Sequence, residues 1–171
     1  MSVYVLIHGA WHGAWCWRKV IPLLESAGHR AIAIDLPGHG EDRTPLSEVT
    51  LEAYAKRVTS VIDGIDQEEV ILVGHSMGGM AVSQAAEYRP NRIKSIVYIS
   101  GFLFKNGQTM LDVIPPHPYV HISDDGATMT VSKLKVEDML YNNCQMEDIL
   151  EAISRWEVIQ TIHRYFQLLT N

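Results

Sequence analysis

The stretch Val70-Ile71-Leu72-Val73-Gly74-His75-Ser76-Met77-Gly78-Gly79 constrains this chain more than any other. A short apolar run leads into Gly-x-Ser-x-Gly, and a helical pattern follows at once. This is the sequence form of a strand that turns sharply into a helix and presents a nucleophilic serine at the turn. Gly74 and Gly78 carry no Cβ and leave room for the bend. Ser76 is then expected in a strained backbone conformation, with its hydroxyl exposed at the carboxyl edge of a sheet. The helix beginning near Met77 aims its first N–H groups at the same place, where they favour developing negative charge. Gly-x-Ser-x-Gly alone is frequent by chance. The buried-type strand before it and the helix after it give it weight.

Around this unit the chain alternates strands and helices. Val3-Tyr4-Val5-Leu6-Ile7-His8 is short, apolar and β-branched, as a strand buried on both faces should be. A loop, His8 to Trp15, follows. A helical pattern over about 15–27 carries Pro22 in its first half, where a kink is expected, and Gly28 stops it. Ala31 to Asp35 reads as a second strand, and Leu36-Pro37-Gly38-His39-Gly40 as a turn. Thr50 can cap a helix over about 51–65. After the serine unit, a helix over about 77–88 ends at Pro90, and Ser95 to Ser100 reads as a fourth strand. The alternation predicts an α/β domain with a parallel sheet. In such sheets ligands sit outside the carboxyl ends of the strands, where His8-Gly9-Ala10, Asp35 and Ser76 all fall. Beyond Phe104 the character changes. Residues 105–130 are loop-rich, and helical patterns run from about Val136 to Leu140 and from Met146 to near Leu169. The expected division is an α/β core over 1–104 and a helical lid with a C-terminal helix over 105–171.

The chain has 171 residues, 47% of them hydrophobic, enough for one domain with a real core. The formal charge of -6 favours neither nucleic acid nor an anionic membrane surface. No apolar run approaches a membrane span, and no basic segment precedes an apolar one at the start. A cytoplasmic location is the expectation, with Cys16 and Cys144 as free thiols.

Taken together, these residues resemble the α/β-hydrolase superfamily, and within it the plant-type methylesterase and hydroxynitrile lyase family and its bacterial relatives. The resemblance rests on His8-Gly9-Ala10-Trp11-His12-Gly13-Ala14-Trp15-Cys16-Trp17, on Leu23 to His29, on Asp35 to Gly40 and on Val70 to Met80. Leu140-Tyr141-Asn142-Asn143-Cys144 with Glu147-Asp148 is similar to the end of that family's lid. It implies a three-layer α/β-hydrolase core with the parallel strands in the order 31–35, 3–8, 69–75, 95–100, Ser76 as catalytic nucleophile, and an oxyanion hole made by the N–H groups of Ala10 and Met77. The residues alone point the same way, with one donor after the nucleophile and one from the loop after the first strand. Such donors are typically worth about 10²–10³ each in rate. The family takes its acid and its histidine from later segments than this chain contains, so the expected core is a truncated one with impaired activity.

Each remaining candidate has a plainer reading beside it. His8 and His12 flank the oxyanion loop and either shape it or pack as hydrogen-bonded histidines. His75 reads as structural. His117 and His121 have i, i+4 spacing, but Pro115, Pro116 and Pro118 deny them a helix, so no metal site is expected. His163 is the last histidine of the chain, a candidate base with no Asp placed to orient it. Asp35 reads as a turn or structural residue before it reads as an acid. Gly9, Trp11 and His12 are the expected substrate contacts, although a tryptophan cluster with Trp15 and Trp17 more often simply packs.

The function these readings support is hydrolysis of carboxylic esters through an acyl-enzyme on Ser76, with a small-molecule ester as partner and no cofactor. One rival is a cyanohydrin lyase on the same scaffold; the family's lyases carry a hydroxylated residue where this chain has Gly9, which favours the esterase. The other rival is an inactive remnant or binding protein. Self-association is expected through the sheet edge at 95–100 or through the C-terminal helix, whose apolar face carries Ile149, Ile153, Trp156, Ile159 and Ile162.

Overall fold

The computed structural model describes residues 1–113, 115–124 and 128–155. His163, Trp156, Ile159 and Ile162, and the end of the expected C-terminal helix, lie outside them.

Strands β1 (Val3–Ile7), β2 (Arg30–Ile34), β3 (Val70–His75) and β4 (Ile93–Ile99) form one sheet in the order β2-β1-β3-β4. Every neighbouring pair is parallel. The strand order is the one expected from the alternation and the family resemblance together. Apolar residues at nearly every position let the two inner strands be covered on both faces. Val3, Val5 and Ile7 of β1 join Val70 and Leu72 of β3 in the larger core, beneath α2 (Leu51–Asp63) and α3 (Gly78–Tyr88). Leu6 and Val73 point the other way and meet Trp17, with Tyr4, Ile71, Ile21 and Leu24 around them. The period of two along each strand thus makes the three layers.

Helix α2 begins where Thr50 caps it, its hydroxyl accepting from the Ala53 N–H at 3.0 Å. The helix expected over 15–27 is instead a 3₁₀ turn, Ala14–Trp17, followed by α1 (Ile21–Ser26). Pro22 sits in the first turn of α1. It has no N–H to offer residue 18, and its ring would strike that carbonyl, so the helix restarts there.

In the region after β4, the stretch expected as loop over 105–130 also carries short strands. The region holds an antiparallel hairpin, β5 (Val120–Ile122) with β6 (Met129–Val131), then a π-helical turn, Glu137–Tyr141, then α4 (Met146–Arg155). The strands have three residues each, too short for any periodicity to show. This cap has its own cluster, Val131, Val136, Tyr141, Ile149 and Ala152, against which Trp11 and Trp15 pack. Ion pairs seat α4 on the core: Asp148 with Arg18 at 2.5 Å and Lys19 at 2.6 Å, and Glu151 with Arg18 at 2.7 Å. No helix of the described residues is long and apolar enough to cross a membrane.

Candidate active site

Ser76 stands between β3 and α3 with φ +49°, in the left-handed region that a serine rarely adopts. Several close approaches hold it there. A Cβ on Gly74 would lie 2.8 Å from the Gly78 carbonyl carbon, and one on Gly78 would lie 2.7 Å from the carbonyl oxygens of Ile7 and His8. Only glycine lets helix and strand meet so tightly. The Ser76 N–H donates to the Ile99 carbonyl at 3.2 Å, and its carbonyl accepts from Gly79 and Phe102, both at 3.0 Å. β4 and the segment after it therefore clamp the serine's backbone while leaving its side chain facing a cavity.

The loop after β1 supplies the opposite wall. Its peptide planes are held by two histidines. The Leu36 N–H donates to His8 Nε2 at 3.1 Å, so the His8 proton is on Nδ1, which donates to the Gly9 carbonyl at 2.7 Å. His12 Nδ1 is 2.7 Å from the Ala10 carbonyl, and its Nε2 is 2.7 Å from the Tyr141 hydroxyl. Trp11, between them, has φ +61°, and its indole N–H donates to the Met129 carbonyl at 3.1 Å. Among the described residues, no acceptor meets the N–H of Ala10 or of Met77. These are the two groups expected as oxyanion donors.

Electrostatically the histidines here are neutral at ordinary pH. Burial pushes His8 down to about 3, the nearby His39 adding to the effect and the Gly9 hydrogen bond opposing it. His39 is pushed down to about 4, mainly by burial. Burial also lowers His12 and the half-buried His75. Asp35 spends its carboxylate on backbone N–H groups, Ala14 at 2.6 Å and Glu41 at 3.1 Å, and so braces both loops. Burial raises the Cys16 thiol to about 12, with the Asp35 charge contributing, which makes it unreactive. His121 pairs with Thr130 inside the hairpin, whereas His117 borders the cavity.

The cavity has a volume of ≈ 490 Å³ and brings together Ser76, Ala10 and Trp11 with Phe102, Met110, Met129, Met139 and Leu140. That size and apolar lining suit a small organic ligand. Gly9 lies beside it: a Cβ there would be 2.9 Å from His75 Nδ1 and 3.0 Å from Ser76 Cβ. The structure therefore gathers Ser76, Ala10, Met77, Gly9, Trp11 and His12 in one place. His12, expected as a substrate contact, is instead turned toward Ala10 and Tyr141. Tyr141 is the participant that sequence reasoning missed. It lies 129 residues from His12, and no local pattern links them. Among the described residues, no side chain is hydrogen-bonded to Ser76 Oγ.

A sharp strand–serine–helix turn at the carboxyl edge of a parallel sheet, facing a glycine-rich loop after the first strand, defines the α/β-hydrolase architecture. The chain belongs to the alpha/beta hydrolase family, whose pattern it matches over residues 4–158. It is 34% identical to alpha-hydroxynitrile lyase of Arabidopsis thaliana, across 98% of this chain and 68% of that protein. It is 42% identical to methylesterase 7 of Arabidopsis thaliana, across 68% of this chain and 44% of that protein. A mutant of polyneuridine aldehyde esterase superposes with a TM-score of 0.80 at 27% identity, covering 96% of this chain and 69% of that one. The chain thus spans about two thirds of the lyase's length and less than half of the methylesterase's.

Proposed function

We propose that the protein is a serine hydrolase of carboxylic esters. Ser76 Oγ attacks the ester carbonyl, the N–H groups of Ala10 and Met77 hold the oxyanion, and the alcohol leaves. Water then hydrolyses the acyl-enzyme on Ser76. The observation that carries this reading is the left-handed backbone of Ser76, held on the wall of an apolar cavity beside two N–H groups with no acceptor among the described residues. The esterases among its relatives support the same reaction. Geometry and oxyanion donors supply the acceleration expected from the described residues. His163 is the histidine to test as a base.

Cyanohydrin cleavage is the second reading, favoured by the alpha-hydroxynitrile lyase relative. Gly9 argues against it. Any side chain at position 9 would press on His75 and Ser76, so the hydroxylated residue expected of a lyase has no room there. Hydrolysis of short-chain aryl and methyl esters, compared with cyanide release from mandelonitrile, tests the ranking. Ester hydrolysis that disappears in Ser76→Ala supports the hydrolase; cyanide release exceeding it reverses the order. Self-association through β4 belongs to the same reading, because Val97 and Ile99 are 41% and 44% exposed on a sheet edge.

A further inference from the structure

Two bonds tie the loop after β1 to the cap: Trp11 to Met129 on the hairpin, and His12 to Tyr141 on the π-helical turn. The second has only one consistent arrangement of protons. The Ala10 carbonyl can only accept, so His12 Nδ1 must carry the hydrogen. A neutral imidazole then leaves Nε2 bare, and Nε2 takes the Tyr141 O–H. The chain of donors runs one way, from the cap hydroxyl through the ring to the Ala10 carbonyl. That carbonyl opens the Ala10–Trp11 peptide, the plane at which the backbone enters its left-handed turn. His12 is also stacked on Trp15 at 5.3 Å between ring centroids, so the ring itself has little freedom.

We propose that Tyr141 is a positioning residue: its hydroxyl donates to His12 Nε2 and fixes where the ring sits, His12 holds the Ala10 carbonyl, and the seating of the cap thereby steadies the Ala10–Trp11 peptide that follows the Ala10 N–H. The consequence for catalysis rests on the hydrolase reading above; the placement of the His12 ring does not. Without the hydroxyl, Nε2 loses the Tyr141 O–H, the ring is held less firmly, and the hold on the Ala10 carbonyl weakens.

The molecule contains its own control. Tyr54 makes a similar buried hydrogen bond to His39 Nε2, at 2.6 Å, but His39 Nδ1 has no hydrogen-bond partner among the described residues, so that ring holds neither the Gly9 nor the Ala10 carbonyl. Tyr141→Phe and Tyr54→Phe each remove one buried hydroxyl, so a loss that reflects stability alone appears in both. The readouts are the ¹⁵N resonances of the His12 ring and the rate at which a small fluorophosphonate labels Ser76. Wild type is expected to show a protonated Nδ1 and a bare Nε2. Tyr141→Phe is expected to shift the His12 ring resonances, Nε2 most, and slow labelling about tenfold, a fraction of what loss of a whole oxyanion donor costs. Tyr54→Phe should leave the His12 resonances in place and change labelling less than about twofold. Equal slowing in the two variants overturns the proposal. So does a wild-type His12 with its hydrogen on Nε2, or one whose resonances ignore Tyr141→Phe. A wild type that does not label at all counts against the hydrolase reading, and the ring resonances still decide the proposal.

Discussion

Strands β3 and β4 lie side by side, have similar apolar sequences, and live in opposite surroundings. Leu72 and Val73 of β3 are 0% and 5% exposed. Their register partners on β4 are Ile96, which is half-buried, and Val97, which is 41% exposed. Among the described residues, β3 has a neighbour on each side and a layer on each face, whereas β4 is an edge with one face against the core. The serine turn is built on the inner strand and borrows from the edge only the Ile99 carbonyl. The lesson is that the geometry at Ser76 draws on the packing of β1 and β3 and on backbone groups of β4 and the segment after it, whereas the exposed side chains of β4 are energetically peripheral to it.

The predictions test that contrast. Leu72→Ala should be the most damaging, about 3 kcal/mol by urea unfolding, because it opens a cavity in a fully buried layer. Val97→Ala, next door, should cost less than about 0.5 kcal/mol. Equal losses would break the comparison. Gly78→Ala should cost about 2 kcal/mol, since the new Cβ meets two carbonyl oxygens at 2.7 Å and the strand cannot move away. The same variant should also misplace Ser76 and lower labelling.

Acid sharpens the contrast at the inner strands. His8 and His39 are neutral when folded, with values near 3 and 4, against about 6.5 when unfolded. The unfolded chain therefore binds the extra protons first. Their contribution is whole above about pH 6.5 and is lost as pH falls toward 4 for His39 and 3 for His8, with a slope of up to about 1.4 kcal/mol per pH unit for each ring. Urea midpoints between pH 7 and 4.5 check this, and His39→Gln should flatten the profile. The smallest effect is expected from Val97→Lys, within about 0.5 kcal/mol in stability. In sedimentation equilibrium at micromolar concentration it should reduce whatever self-association the β4 edge supports. Association unchanged by the lysine would place the contact elsewhere.

The sheet was legible because its signals are local. Strand runs such as Val3 to Ile7, the Thr50 cap and the turn at Gly74 to Gly78 are each written within a few residues. The strained backbone of Ser76 follows from the same turn. What the sequence hid depends on contacts between distant residues. The split of the first helix hinges on how strongly Pro22 acts against a helical pattern. The hairpin is three residues per strand. The Tyr141–His12 bond joins segments that only the fold brings together. Asp35 shows the same limit: its place at a strand end suits an acid, yet both its oxygens are taken by backbone N–H groups.

The central claim is that the turn between β3 and α3 makes Ser76 a nucleophile. The most direct measurement is to treat the protein with a small fluorophosphonate and map the adduct by mass spectrometry of its peptides. The account predicts one adduct, on Ser76, that is absent from Ser76→Ala. Labelling that spreads to other serines, such as Ser83, with no preference for Ser76 would contradict it.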